Sequence, residues 1–493
     1  MILVTDDYSW SDPAKKIEAA AHCRWVFDRL FPHLCEALNG AHEESRSPAY
    51  WRIIIGPWFF HRVMARYEQY SDPKCEFKSL DPVWMKARPD GLVGKLRNAY
   101  AAALDLVGRT RPVILCDLHM SHRDVWRIAL ASGFREWPMV RRSPRPESFR
   151  ADDATRVRLR RHVWPWGADE FENLVLSDLV EAVPDIYVER YRAFRDWCAG
   201  FVRRRQRLLV SAHGWKSNER LKFIAALEQE YGAKIAAAQH GANTGWGILH
   251  SLEDFTRDTA DVFITWGVRE NVPKAIPLPD PILNRLRRIA MQSGRSLGMA
   301  LFVGTSFPRY ASAGIRTQPM ARQTLDYMDG QGRFFKAIGD RSTDFLVRTY
   351  PADHGWQNKV RLLQDFPRLN LDHFERGVLY HLRRCRLAVI DNPQTTFLEA
   401  LALDKPTVLY FDPELWKMNE TAEARFGALA KAGIVHFTPE AAAAHVLRVW
   451  DDPRKWWNGW SVSMARMQFM GWAVRLSRRW PKRWAEALGD IAR

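Results

Sequence analysis

The residues best suited to chemistry stand where apolar runs give out. In RLAVIDNPQTTFLEALALDKPTVLYFD a strand expected to end at Ile390 empties into a loop carrying Asp391, Asn392, Gln394, Thr395 and Thr396, and a helix follows before Pro406 opens another strand. A helix N-terminus leaves backbone N–H groups unpaired, so with the hydroxyls of Thr395 and Thr396 it offers a phosphate a ready site. Glu399, one turn in, is placed to take ribose hydroxyls. The same residues also read as ordinary caps, with Asp391 or Thr395 at the helix start and Thr396 to Glu399 as a capping box. The two readings are compatible at the carboxyl edge of an open parallel sheet, where such folds bind ligands.

A second run, KIAAAQHGANTGWG, leads from a strand into Gln239, His240 and Gly241, with Gly245 and Gly247 beyond. Glycines let backbone approach a ligand closely, and a histidine there can take a proton from a hydroxyl or donate to a leaving phosphate. The bland alternative is a histidine bonded to a loop carbonyl. His213 and Gly214 follow the preceding strand in the same way, so in a parallel sheet both histidines open onto one edge; Glu253 is a further candidate base. In FLVRTYPADHGW, Arg348 can fork onto a phosphate and Tyr350 can stack or donate, unless Arg348 is simply an ion-pair partner. GTSF adds Thr305 and Ser306.

Several tempting matches fail. GRSLG, residues 294–298, has a strand-like run after it where a hydrolase elbow needs a helix. Cys116, His119 and His122 form a loose metal set without a fourth ligand. The chain has neither an Asp-x-Asp triplet nor a Gly-x-x-x-x-Gly-Lys loop, so no metal and no resident cofactor are expected. Positive side chains and helix dipoles must then stabilise a leaving group.

Placing these loops requires strands with crossover helices. Strand-like runs occur at RPVILCDL, RQRLLVSAHGW, KIAAA and ADVFITWGV, and again at LGMALFVGTSF, FLVRTYP, RLAVID and TVLYF, with helical spacing between them. This β-loop-α-β grammar predicts an α/β fold of two parallel, Rossmann-like lobes. We place an acceptor-side lobe at 1–290, a donor-nucleotide lobe at 291–455 and a basic helical segment at 456–493 that packs back on the first lobe rather than lying on a membrane. The Pro-rich, then basic, stretch 273–295 reads as the end of the first lobe and the linker. Residues 14–38 have helical spacing that Pro32 should kink or split.

The length, 493 residues, suits two large lobes. Six cysteines without a Cys-x-x-Cys pair suggest neither disulfides nor a zinc ribbon and suit a reducing cytoplasm. The first residues lack the pattern of a signal peptide, and no apolar run approaches the roughly 20 residues of a spanning helix. A net charge of +16 favours anionic partners, among them nucleotides, phosphorylated acceptors and the anionic inner face of a membrane. No nucleic-acid motif is present, which makes nucleic acid the least favoured of these.

ALNGAHEESRSPAYWRIIIGPWFFHR, AAQHGANTGWG with the later ITWG, VRTYP and DNPQTTFLEALALDKP together resemble a family of bacterial transferases encoded with surface-polysaccharide genes. More distantly, the second half is similar to capsule Kdo transferases and CDP-glycerol glycerophosphotransferases. The resemblance implies GT-B architecture, two lobes about a cleft, with donor binding in the second lobe. Arg348 with Tyr350 and Pro351 stands where those relatives have a basic residue before His-Pro, and Asp391 with Thr395 and Thr396 matches their acidic-Ser/Thr loop; Tyr350 in place of histidine departs from the pattern. No role follows from spacing for the tryptophan-rich block around Asn39, His42, Ser47 and Tyr50, where Trp51 and Trp58 read as core more readily than as a sugar-binding wall.

The reading is a metal-independent glycosyltransferase. A nucleotide-activated sugar, for which the resemblance suggests a CMP-linked ulosonic acid, sits against Thr305, Ser306, Arg348 and the helix at Thr395, while His240, His213 or Glu253 deprotonates a glycan or lipid-linked acceptor. Polyol-phosphate transfer on the same fold is the nearest rival, and a noncatalytic glycan- or nucleic-acid-binding module is the more distant one.

Overall fold

In the computed structural model, residues 12–71, 92–142, 148–290, 298–307, 314–320 and 322–493 are described. Strands β1 (Val113–Cys116), β2 (Glu136–Met139), β3 (Leu208–Ser211), β4 (Lys234–Ala238), β5 (Val262–Thr265) and β6 (Ala275–Pro277) form one sheet in the order β2-β1-β3-β4-β5-β6. Strands β7 (Ala300–Val303), β8 (Phe345–Arg348), β9 (Asn370–Leu371), β10 (Ala388–Ile390), β11 (Thr407–Tyr410) and β12 (Val435–His436) form a second, in the order β12-β11-β10-β7-β8-β9. Every pairing in both sheets is parallel. β1, β3, β7 and β11 are buried along their whole length, which is why they read as continuous apolar runs: helices cover both faces. These are the two expected Rossmann-like lobes.

The helix Pro13–His42 starts at Asp12, whose carboxylate accepts from Ala14 N–H, and it continues through Pro32. Pro32 therefore does not split it. The aromatic faces of this helix and the helix Gly56–Ser71 lock together, Phe27 lying 4.9 Å from Phe31, 5.5 Å from Phe59 and 5.3 Å from Phe60. Trp51 is wholly buried and Trp58 nearly so. Trp51 donates through Nε1 to Asn39 Oδ1 at 3.0 Å, His42 Nε2 bonds Tyr187 O at 2.9 Å, and Ser47 caps the next helix at Tyr50 N. The tryptophan-rich block is core, a locked corner between helices.

The expected linker at 273–295 is ordered structure over most of its length. Its first apolar residues pair as edge strand β6, where a terminal proline is tolerated, and Pro281–Ala290 forms a helix against the helix Thr395–Ala402 of the other lobe. The GRSLG match falls largely outside the described residues.

The C-terminal segment divides its packing. Helix Trp460–Ala473 lies against Thr395–Ala402 and Glu420–Lys431 in the second lobe, whereas Trp480, Trp484, Leu488 and Ile491 of the last helix are buried on the first, beside the helix His122–Ala131. Between them Gly267, of the ITWG motif, bridges Val474; a Cβ on Gly267 would stand 2.5 Å from Val474 N, so only glycine admits this crossing. Among the described residues no helix is long and apolar enough to cross a membrane.

Candidate functional site

The loops at the carboxyl ends of β3 and β4 meet the second lobe. At the end of β4, Gln239 fixes the turn by donating to Gly241 O at 2.7 Å and accepting from Trp266 N at 2.7 Å. His240 emerges there with its ring 4.8 Å from His213 and 6.4 Å from His250. The loop is then clamped across the lobes: Ala242 N–H donates to Thr395 Oγ1 at 3.2 Å, and Asn419 Nδ2 donates to Gly245 O at 2.8 Å. After β3, Gly214 begins a single helical turn bearing Lys216. A Cβ at Gly214 would lie 2.5 Å from Leu221 Cδ2 and 2.6 Å from Ser211 Oγ, so any larger residue here would have to displace both side chains.

Two cations complete the cluster. Lys216 comes from the first lobe; Arg316 comes from the second and bridges His250 through its backbone. Neither side chain has an ion-pair partner among the described residues, and Arg316 Nε is buried without a hydrogen bond. Burial lowers the Lys216 pKa below its ordinary value and brings Arg316 down to about 10, Arg316 in turn depressing Lys216. Burial, then the charge of Lys216, pushes His240 well below the usual histidine value and His250 down to about 3. Burial also lowers His213, with His119 and Lys216 contributing. The carboxylates of Glu253 and Asp254 offset Lys216 in part, and crowded positive groups that are only partly offset are a site that an anion would relieve.

The other expected residues fall into different surroundings. Glu253 is buried, its pKa raised by burial, and accepts from Thr244 Oγ1 at 2.9 Å. Asp391 is buried under the ends of β7 and β10, where it accepts from Tyr327 OH at 2.7 Å, Gln331 Nε2 at 2.6 Å and Asn392 Nδ2 at 2.9 Å. Its pKa is raised to about 6 by burial, against these bonds. Thr305 N–H donates to the same tyrosine oxygen at 2.8 Å; Thr305 is buried and Ser306 partly exposed. The helix Thr395–Ala402 has Gln394 as N-cap with no side-chain cap bond, so neither Asp391 nor Thr395 caps it and the Thr396 to Glu399 box is not what starts it. Thr395, Thr396 and Glu399 are each partly exposed. Burial lifts Glu399 to about 7, while His119 of the first lobe pulls it down.

Arg348 turns along the sheet towards β9. It pairs with Asp372, donates to Arg376 O at 3.0 Å and lies 4.6 Å from the Phe374 ring. Tyr350 is exposed and parallel to the His354 ring at 5.8 Å. The structure thus gathers His213, His240 and Thr395, and sets Arg348 and Tyr350 apart from them. Lys216, Arg316 and His250 were missed by sequence reasoning. Lys216, three residues past His213 on the same turn, was the one legible signal, whereas nothing local marks Arg316. Among the described residues the one grouping of His, Cys, Asp and Glu close enough to share an ion is His33, Glu36 and His162, and it contains none of Cys116, His119 and His122.

A family model described as LIC12162 family transferase matches residues 3–85 and 85–488, nearly the whole chain. The chain belongs to the LIC12162 family of transferases. A search of curated proteins finds no match. Solved structures to which this LIC12162-family transferase is similar include the wall teichoic acid polymerase TagF, at 9% identity over 81% of this chain and 94% of that one, TM-score 0.39. The spinosyn forosaminyltransferase SpnP matches at 13% identity over 78% and 99%, TM-score 0.37. A UDP-N-acetylglucosamine 2-epimerase from Listeria monocytogenes matches at 10% over 76% and 94%, TM-score 0.40. Similarities of this size describe outline only; what the LIC12162-family transferase binds must be argued from its own residues.

Proposed function

We propose that this transferase moves a sugar from a nucleotide-activated donor to a surface-glycan or lipid-linked acceptor without a metal. The observation that carries the reading is the pair of cations without an ion-pair partner among the described residues, Lys216 and Arg316, contributed by opposite lobes beside the histidine cluster. A donor phosphate between them, with the helix start at Thr395 behind it, meets preformed positive charge where the leaving group develops negative charge. The acceptor hydroxyl attacks the anomeric carbon, the bond from that carbon to the phosphate oxygen breaks, and the nucleotide leaves with the electron pair.

His240 takes the hydroxyl proton. Burial and Lys216 keep its imidazole neutral, hence able to accept; a bound phosphate offsets Lys216 and raises its basicity as the site fills. His213, against it, is the alternate or relay base. Thr305, Ser306, Thr396 and Glu399 are the second-lobe groups left to hold the nucleoside, a CMP-linked ulosonic acid being the donor we favour. The acceptor brings the chain to an inner membrane face from the cytoplasm.

Thermal shift against a panel of CMP, CDP, UDP and GDP tests this. One nucleotide should stabilise the protein, and Lys216→Ala and Arg316→Ala should each abolish most of the shift while the unliganded melting temperature holds. A full shift in both variants removes the donor site. Polyol-phosphate transfer has one observation in its favour, since two cations beside a histidine cluster also suit displacement at phosphorus. Mass analysis of the product separates a glycoside from a phosphodiester.

A further inference from the structure

The C-terminal segment brings an unusual charge density onto the first lobe. Arg475, Arg478, Arg479, Lys482 and Arg483 fall within nine consecutive residues that contain no acidic residue, and all five are exposed. Where this stretch meets the loop after β5 and the end of β6 there is a 470 Å³ cavity, lined by Arg269, Arg475 and Arg483 over an apolar floor that includes Pro277, Leu278 and Leu476. That volume lies within the range of ligand pockets.

Two carboxylates, Glu486 and Asp490, also line it, but each has its own partner: Lys482 Nζ is 3.7 Å from Glu486 Oε1, and Arg493 pairs with Asp490. No ion pair engages Arg269, Arg475 or Arg483 among the described residues. Three guanidiniums without an ion-pair partner, each a planar fork of donors, match phosphate oxygens.

The position is also informative. Arg475 N–H donates to Trp266 O at 2.5 Å, and the Trp266 ring lies 5.3 Å from His119, so the cavity opens beside the carboxyl edge that carries the histidine cluster. The apolar face of the last helix is already buried through Trp480, Trp484, Leu488 and Ile491. That helix has nothing left to insert into a bilayer, and contact with one has to be electrostatic.

We propose that this cavity receives the phosphate headgroup of an anionic phospholipid and, with Arg478 and Arg479 beside it, docks the transferase on a membrane. The proposal rests on the transferase reading only for what the docking serves, which is to hold the interlobe cleft next to a lipid-linked acceptor.

The test is co-sedimentation of the full chain with vesicles of phosphatidylglycerol in phosphatidylcholine, and of phosphatidylcholine alone. The wild type should bind the anionic vesicles, salt-sensitively, and not the neutral ones. Arg475→Ala with Arg483→Ala should weaken binding about thirty-fold at physiological ionic strength, from about 1 kcal/mol per residue. Lys336→Ala with Lys431→Ala removes the same charge from exposed second-lobe positions and should weaken it less than about three-fold. Equal losses in the two pairs, undiminished binding by the arginine pair, or equal binding to neutral vesicles would overturn the proposal. Binding of glycerol 3-phosphate in the cavity by a protein that does not sediment with anionic vesicles would assign the site to a soluble phosphate and overturn the lipid assignment. Nucleotide stabilisation, read on the same variants, should be unchanged, so a failed docking surface and a failed donor site are told apart.

Discussion

Arg316 and Arg348 both belong to the second lobe, and both lie close to a strand end or a loop that opens on the carboxyl edge of its sheet. Arg348 is spent on the fold: Asp372 neutralises it and the Arg376 carbonyl takes a further N–H. Arg316 has no carboxylate partner among the described residues and faces Lys216 and His250 of the other lobe. The contrast teaches that position at a strand end does not make an arginine available to an anion. What counts is whether the fold has left its charge without a partner.

The largest effect that sharpens this comparison is on turnover. His240→Ala should lower kcat about a thousand-fold, as removal of a general base does, with donor affinity little changed. A fully active variant would end its role as base and leave the unpaired region a binding site alone. Next, Lys216→Ala combined with Arg316→Ala should weaken nucleotide binding about a hundred-fold or more, each charge-assisted contact contributing roughly 1.5 to 3 kcal/mol, measured by calorimetric titration.

Arg348→Ala should behave in the opposite manner. Losing one partner of a largely buried ion pair leaves Asp372 with only His381 at 3.7 Å and the Phe374 N–H, and should cost about 3 kcal/mol of stability in denaturant unfolding, while nucleotide affinity of the folded protein stays within about two-fold. A loss of affinity matching that of Arg316→Ala would break the comparison.

The smallest expected effect concerns Glu399. Its folded pKa is raised from 4.5 to about 7, so its contribution to stability is full below pH 4.5 and is lost as pH rises through about 7. Glu399→Gln should therefore flatten the fall of Tm across that interval. An unchanged slope would mean that Glu399 titrates alike in folded and unfolded chains.

The chain's grammar was legible because parallel strands covered on both faces have to be apolar throughout, and VILC, LLVS, ALFV and TVLY are. The segment 273–295, read from its proline and charge as the end of the first lobe and the linker, does end the first sheet as edge strand β6, but it then continues as a helix packed on the other lobe, which proline and charge did not signal. Pro32 was overweighted for a related reason: packing of Phe27, Phe31 and Phe59 holds the helix through it. Of the candidate site residues, those on adjacent strand ends, His213 and His240, were readable because parallel register alone brings them together. What surrounds Glu253 and Asp391 was not legible, because it lies on other elements: Thr244 over the one, Tyr327 and Gln331 over the other.

The sequence by itself determined the strand order's raw material, the loops that open on the carboxyl edges and the excess of positive charge. Only the tertiary structure decided which of those charges are neutralised. Ion pairs and clamps join residues distant along the chain, Arg348 to Asp372 across 24 positions and Ala242 to Thr395 across 153. Local spacing carries no record of such partners, because electrostatic energy depends on separation and burial in space.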